Sequence, residues 1–183
     1  SKLHDTTKIR TISEVMDTNY TENEKNYYVL NNMLGAITLK NYKKKNNAAL
    51  QKKYTMWLAS YYSVVGTEYS HKKEREKGLL YYDKSIALFK SVKAFDEMHS
   101  EMIVKAALYT RIDQDDKAIP LIFKALKYFE KDKEYYRDEL AYALSAVGHI
   151  YLGQKKHDES IAYNQQAIRY YDASYADYPD NQT

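Results

Sequence analysis

Metal ligation and proton transfer need imidazoles or carboxylates held on one face, and the chain offers five histidines: His4, His71, His99, His149 and His157. No two of them stand at the i, i+4 spacing by which one helix presents two ligands to an ion. No metal site is expected, and the absence of cysteine excludes thiolate ligands and disulfides as well. Nucleophilic and phosphate chemistry are no better served. The sequence holds no glycine-rich phosphate loop, no G-x-S-x-G elbow and no H-E-x-x-H, and its carboxylates are scattered along charged segments. An enzyme has nothing here to build on, and no cofactor is implied.

Binding chemistry is better supplied. Twenty-one tyrosines include the pairs Tyr27-Tyr28, Tyr61-Tyr62, Tyr81-Tyr82, Tyr135-Tyr136 and Tyr170-Tyr171. Most read as helix-packing rings with the hydroxyl at the rim. The surplus suits a recognition surface, because tyrosine offers contact area with few rotamers to freeze. Trp57 reads as a packing anchor for a helix over about 48 to 70, with a binding role as the minor alternative. Lys40, Lys43, Lys44, Lys45, Lys52 and Lys53, with Tyr42 and Tyr54 interleaved, could track a phosphate backbone. Lysines at a helix end also answer the dipole and solubility, and that solvated reading outweighs nucleic-acid binding.

Helices must position all of these groups. Five glycines and two prolines in 183 residues leave long stretches rich in Ala, Leu, Glu, Lys and Gln that run as helix without interruption, so the fold class is all-α. At 44% hydrophobic residues the chain suffices for one compact domain or a short solenoid. Twenty-eight basic against twenty-five acidic residues leave a formal charge of +3, too small to make nucleic acid or a membrane surface the default partner. No apolar run is long enough to span a membrane, and no signal peptide is evident. The chain begins at Ser1, and the expectation is a processed chain or a piece of a longer protein. Compartment stays open between periplasm and cytoplasm.

Self-comparison is the informative step, because arrays of helix pairs show themselves as fixed spacings of small and aromatic residues. Gly66, Ala106 and Gly148 fall 40 and then 42 residues apart, and the aromatic three positions on recurs as Tyr69, Tyr109 and Tyr151. The same offsets recur in small Gly78, Ala118 and Ser160, in apolar Leu79, Ile119 and Ile161, and in small Ser85, Ala125 and Ala167. They recur again in Ile86, Leu126 and Ile168, and in Phe89, Phe129 and Tyr171. Small residues let two antiparallel helices approach closely, and the large neighbour fills the groove beside them. Between the halves lie Ile112-Asp113-Gln114-Asp115-Asp116 and Gly153-Gln154-Lys155-Lys156-His157-Asp158, where Asp or Asn-like caps are expected to satisfy the first free amides of the second helix. Pro120 is placed in about the first turn of that helix, where its missing N–H costs least.

Ala141 to Asp172, with Leu144, Val147-Gly148, Tyr151, Ser160, Ala167 and Asp172 in place, resembles a tetratricopeptide repeat. Residues 99–140 keep Ala106, Tyr109, Ala118 and Ala125 but carry Lys105 at an apolar position, and residues 59–98 keep Val65-Gly66, Tyr69 and Ser85. The period exceeds the standard one, so either the helices or the connections between repeats are longer. Long repeats of this kind resemble those of bacterial peptide-pheromone receptors and of the sensor regions of histidine kinases and LuxR-type regulators. The implied fold is an α-α superhelix, a solenoid of antiparallel helix pairs, with units at 46–98, 99–140 and 141–174 and a tail at 175–183. Residues 1–45 supply a capping pair: an amphipathic stretch with Ile9, Ile12 and Met16, then a helix of about 22 to 44 carrying Tyr27, Leu30, Leu34 and Ile37. That helix is opened by a capping box of Thr21 and Glu24.

The resemblance further implies a concave groove lined by Ser63, Thr67, Ser70, His71, Ile103, Ala107, Thr110, Arg111, Tyr142, Ser145 and His149. Some relatives grip a C-terminal carboxylate with Lys and Asn at two of these positions. Here Ser63, Ile103 and Ser145, and Thr67, Ala107 and His149, occupy them, so that clamp is not expected. The expected function is a scaffold that binds a protein or peptide segment, with Arg111 as charged anchor and Tyr142 and His149 as flat contacts, in the sensory region of a larger bacterial regulator. The alternatives are a homodimerising or spacer module, and nucleic-acid binding through the Lys40 to Lys53 run.

Overall fold

The computed structural model of the chain describes residues 4–19, 24–44 and 46–176, and every regular element among them is helical. In chain order these are α1 (Asp5–Asn19), α2 (Glu24–Tyr42), α3 (Ala48–His71), α4 (Arg75–Ser91), α5 (Phe95–Thr110), α6 (Asp115–Phe129), α7 (Arg137–Gly153) and α8 (His157–Ala176), with a 3-10 turn at Glu130–Asp132. The chain divides into two compact units, Ser1–Met98 and His99–Thr183, the division falling inside α5. Neighbouring helices pack on one another, α1 to α4 in the first unit and α6 to α8 in the second. No helix among the described residues is long and apolar enough to cross a membrane.

Among the described residues, one turn is used four times. Lys73, Lys93, Asp113 and Lys155 have φ of 63°, 57°, 57° and 59°, the left-handed conformation that closes a helix. The residue after each donates its N–H back five positions: Glu74 to Tyr69 at 2.9 Å, Ala94 to Phe89 at 3.0 Å, Gln114 to Tyr109 at 3.0 Å and Lys156 to Tyr151 at 2.9 Å. This pattern satisfies carbonyls left over at a helix end. It also corrects the expected Asp cap in the 112–116 turn: Asp113 lies in the left-handed closing position, and the N-cap of α6 is Gln114, which makes no side-chain cap bond, as Glu74 makes none before α4. Side-chain capping occurs instead at α3, where Asn47 Oδ1 accepts from Leu50 N at 2.9 Å. Pro120 is also deeper than expected, the sixth residue of α6. There it removes the bond its nitrogen would otherwise make to the Asp116 carbonyl.

The recurring small-residue columns occupy matching seats in the hairpins α3–α4, α5–α6 and α7–α8, whereas the apolar columns end in exposed Ile161, Ile168 and Tyr171 on α8. Gly66, Ala106 and Gly148 are buried, as are Gly78, Ala118 and Ser160, and Ser85, Ala125 and Ala167. Gly78, Ala118 and Ser160 each donate their N–H to the residue that opens their helix, Glu74, Gln114 and Lys156, at 3.0–3.2 Å. A Cβ on Gly66 would lie 2.9 Å from the Tyr82 ring, and one on Gly148 would lie 2.7 Å from the Asn164 side chain. In α3–α4 and α7–α8 the two helices therefore meet at the small residue. The longer second period has a visible source. Between α4 and α5 run three residues, 92–94, whereas residues 130–136, including the 3-10 turn, separate α6 from α7.

Each unit has its own core. In the first, Ile9 and Met16 of α1, Leu34 of α2 and Tyr54 of α3 are buried together, with Ile12, Tyr27, Leu30, Ile37 and Trp57 packed against them. Trp57 thus packs, its ring edge-on to Tyr54 at 5.5 Å. The start of α1 is tied down by Asn41 Nδ2, which donates to Asp5 Oδ2 at 3.0 Å and to the Ile37 carbonyl at 2.8 Å. In the second unit, Ile103 and Ala106 of α5, Ile122, Leu126 and Phe129 of α6, Leu140, Leu144 and Val147 of α7 and Ala167 of α8 form one cluster. Burying large aliphatic side chains of this kind stabilises by roughly 1.5–3 kcal/mol each.

Candidate functional site

His71 ends α3 and meets the first turn of α2, a contact spanning 47 residues of sequence. Its Nδ1 lies 2.5 Å from Glu24 Oε1 and 3.0 Å from the Tyr28 hydroxyl, and that hydroxyl donates to Glu24 Oε1 at 3.0 Å. Glu24 and Tyr28 stand one helical turn apart, so α2 presents both to one partner. Hydrogen bonds from His71 and then Tyr28 hold the Glu24 carboxyl below its ordinary range. These groups edge a cavity of about 480 Å³ whose wall also includes Val29, Asn32, Glu68 and Lys72. Lys72 Nζ donates to Glu68 Oε1 at 2.6 Å on the same rim. The result is an open pocket with an apolar wall and a polar hub of carboxylate, imidazole and phenol, chemistry suited to hydrogen-bonded capture of a ligand.

The Glu24 side chain is thus engaged by His71 and Tyr28; Thr21, the other half of the expected capping box, lies outside the described residues. Tyr28, Glu68 and Lys72 were not singled out as site residues in the sequence. The i, i+4 pair Glu24 and Tyr28 was a local signal for a shared face, but nothing in the sequence pointed that face at His71.

The remaining groove candidates of the first unit are used internally. Thr67 Oγ1 donates to the Ser63 carbonyl at 3.3 Å and lies 3.1 Å from the Tyr82 hydroxyl, inside its own hairpin. Ser70 is buried, and Ser63 is half-buried. In the second unit, Ile103 is 1% exposed and belongs to the core cluster. That placement corrects the groove assignment of Ile103: an isoleucine on the inward face of α5 gains more from the core than from a water-facing surface. Thr110 directs its hydroxyl to the Ala106 carbonyl at 3.2 Å, and Ala107 is half-buried. Arg111 is exposed at the end of α5. On α7, Tyr142 (45% exposed) and His149 are exposed and Ser145 is half-buried. Their spacing of three and then four residues puts all three on one face.

Much of the tyrosine is spent inside hairpins. Tyr69 stacks on Tyr81 with centroids 5.4 Å apart and planes 10° apart, and Tyr151 stacks on Tyr163 at 5.5 Å and 29°. Lysines cover the rings: Lys77 over Tyr69 at 5.3 Å, Lys105 over Tyr109 at 5.3 Å and Lys156 over Tyr151 at 5.3 Å. Lys105, out of place in the apolar pattern, is 8% exposed with its ammonium held over an aromatic face. Burial is the first cause that raises the phenols of Tyr61, Tyr62 and Tyr163.

The lysine run is surface: Lys40, Lys43, Lys44, Lys52 and Lys53 are exposed, Lys44 donates to Asn41 Oδ1 at 2.8 Å, and Lys45 lies outside the described residues. Among the described residues, no group of three or more histidines and carboxylates is arranged to hold a metal ion. No protein-family model matches the chain, and a search of curated proteins gives no significant match.

Proposed function

We propose that the chain is a tetratricopeptide-type α-α superhelix that binds a polypeptide segment, serving as the sensory or interaction region of a larger bacterial signalling or regulatory protein. The observation that carries this reading is recurrence. Three hairpins share one left-handed turn, one set of buried small residues and a lysine-covered tyrosine at the same seat. Repeats that contact their neighbours through such seats build extended binding surfaces. Contacts for a peptide are available in each unit: the His71 pocket in the first, and exposed Arg111, Tyr142 and His149 in the second. Aromatic and arginine side chains of this kind carry most of the energy in peptide recognition.

The test is selection of a random peptide library on the purified chain, followed by affinity measurements on the selected peptides. Arg111→Glu or His71→Ala is expected to weaken a selected peptide by about tenfold or more with far-UV circular dichroism unchanged. The reading fails if no peptide is enriched, or if both variants bind as the parent does.

A further inference from the structure

The last helix carries apolar residues at seats that are covered in earlier copies. Leu126 and Phe129 of α6 are 6% and 0% exposed and share a core with Leu140 and Leu144 of α7, the helix packed next to them. Their counterparts in α8, Ile168 and Tyr171, are 54% and 37% exposed, and Ile161, one period after half-buried Ile119, is 55% exposed. Among the described residues, the α8 face therefore has the side chains of a helix-docking seat with no helix packed on it beyond α7. Ile161 and Ile168 are seven residues apart and fall within about 20° of each other around the helix.

We infer that this face binds a second copy of the chain, two α8 helices pairing antiparallel about a two-fold axis between Asn164 and Gln165. Such an axis places Ile161 of one copy opposite Ile168 of the other, so both apolar residues are covered at once. The charges then complement. Arg169 and Asp158 lie on the same flank of α8, about 60–80° from Ile161. The two-fold axis brings Arg169 of each copy to within about 3 Å, measured along the helix axis, of Asp158 of the other. A parallel pairing would place the two Arg169 side chains on opposite flanks of the seam and leave each about 16 Å along the axis from Asp158, with no opposed charge beside it. Opposed charges at the rim select register and orientation. An interface confined to one helix falls below the roughly 1,200 Å² of standard complexes, so dimerisation is expected on the order of 10–100 μM.

The experiment is light scattering and sedimentation of the whole chain across a dilution series up to about 300 μM, several times that range. The expected mass rises from one chain to two and no further. Ile161→Glu with Ile168→Glu holds the chain at one copy, with unchanged circular dichroism because both sites are more than half exposed. Asp158→Arg or Arg169→Asp alone weakens the dimer by about tenfold, and the two together restore it. The native chain has no cysteine, so Gln165→Cys introduces a single thiol. On oxidation it is expected to cross-link faster than Lys127→Cys on exposed α6. The inference is overturned if the chain stays monomeric throughout, if mass grows past two copies as head-to-tail stacking requires, or if the isoleucine variant associates like the parent.

Discussion

Gly66→Ala sets two effects of opposite sign against each other, and the structure decides between them. In a helix interior alanine is favoured over glycine by about 1 kcal/mol. Against this, the new methyl group would lie 2.9 Å from two carbons of the Tyr82 ring and 3.2 Å from the Gly78 carbonyl oxygen. Neither neighbour yields easily. Tyr82 is 3% exposed with its hydroxyl 3.1 Å from Thr67, and the carbonyl is helix backbone. Overpacking at such a contact costs roughly 1–3 kcal/mol, which leaves a net destabilisation of about 1 kcal/mol once the propensity gain is subtracted. In a unit of the size of Ser1–Met98 that lowers the melting transition by roughly 4–8 °C. Gly153→Ala is the control. Nothing stands within 4 Å of its Cβ position, its φ is not positive, and propensity acts alone to stabilise by about 0.5 kcal/mol at this helix end. Both variants are followed by thermal denaturation with far-UV circular dichroism. If Gly66→Ala raises the transition as Gly153→Ala does, α3 and α4 do not meet at that residue, and the small-residue account of the hairpins is refuted.

Two further outcomes concern carboxylates. The hydrogen bond from Asn41, and then that from Lys8, holds Asp5 at about 2. Because this is below the unfolded value of about 3.9, the stabilisation is complete above that value and is lost as pH falls toward 2. Asn41→Ala is expected to move the Asp5 titration, read by carboxyl NMR, up toward the ordinary range; an unmoved titration disproves the bond. Glu24 is likewise depressed, first by His71 and then by Tyr28, so its contribution is present above the ordinary glutamate value and fades as pH falls through its lowered one. His71→Ala should raise the Glu24 titration, and a carboxyl resonance that stays in place would show that the pair does not form in solution.

Local chemistry was legible in the chain by itself. Scarce glycine and proline dictated helix, and the matched columns near every fortieth residue marked where helices would approach, because a small side chain admits a neighbouring backbone wherever it stands. The small-residue seats are buried in all three hairpins. The turns were misread for a local reason: left-handed positions held by Lys and Asp lack the glycine that normally announces them, so aspartate suggested a side-chain cap. Other features depended on partners distant in sequence. Ile103 matched a groove position by its place in the repeat, yet its burial is decided by the helices gathered around α5. His71 became part of a pocket because α2 brings Glu24 and Tyr28 to it. Ile168 and Leu126 share a column and a chemical type but differ in exposure, since burial belongs to what packs against a residue rather than to the residue. A sequence fixes which side chains can meet; which of them do meet is settled when the tertiary structure supplies the other surface.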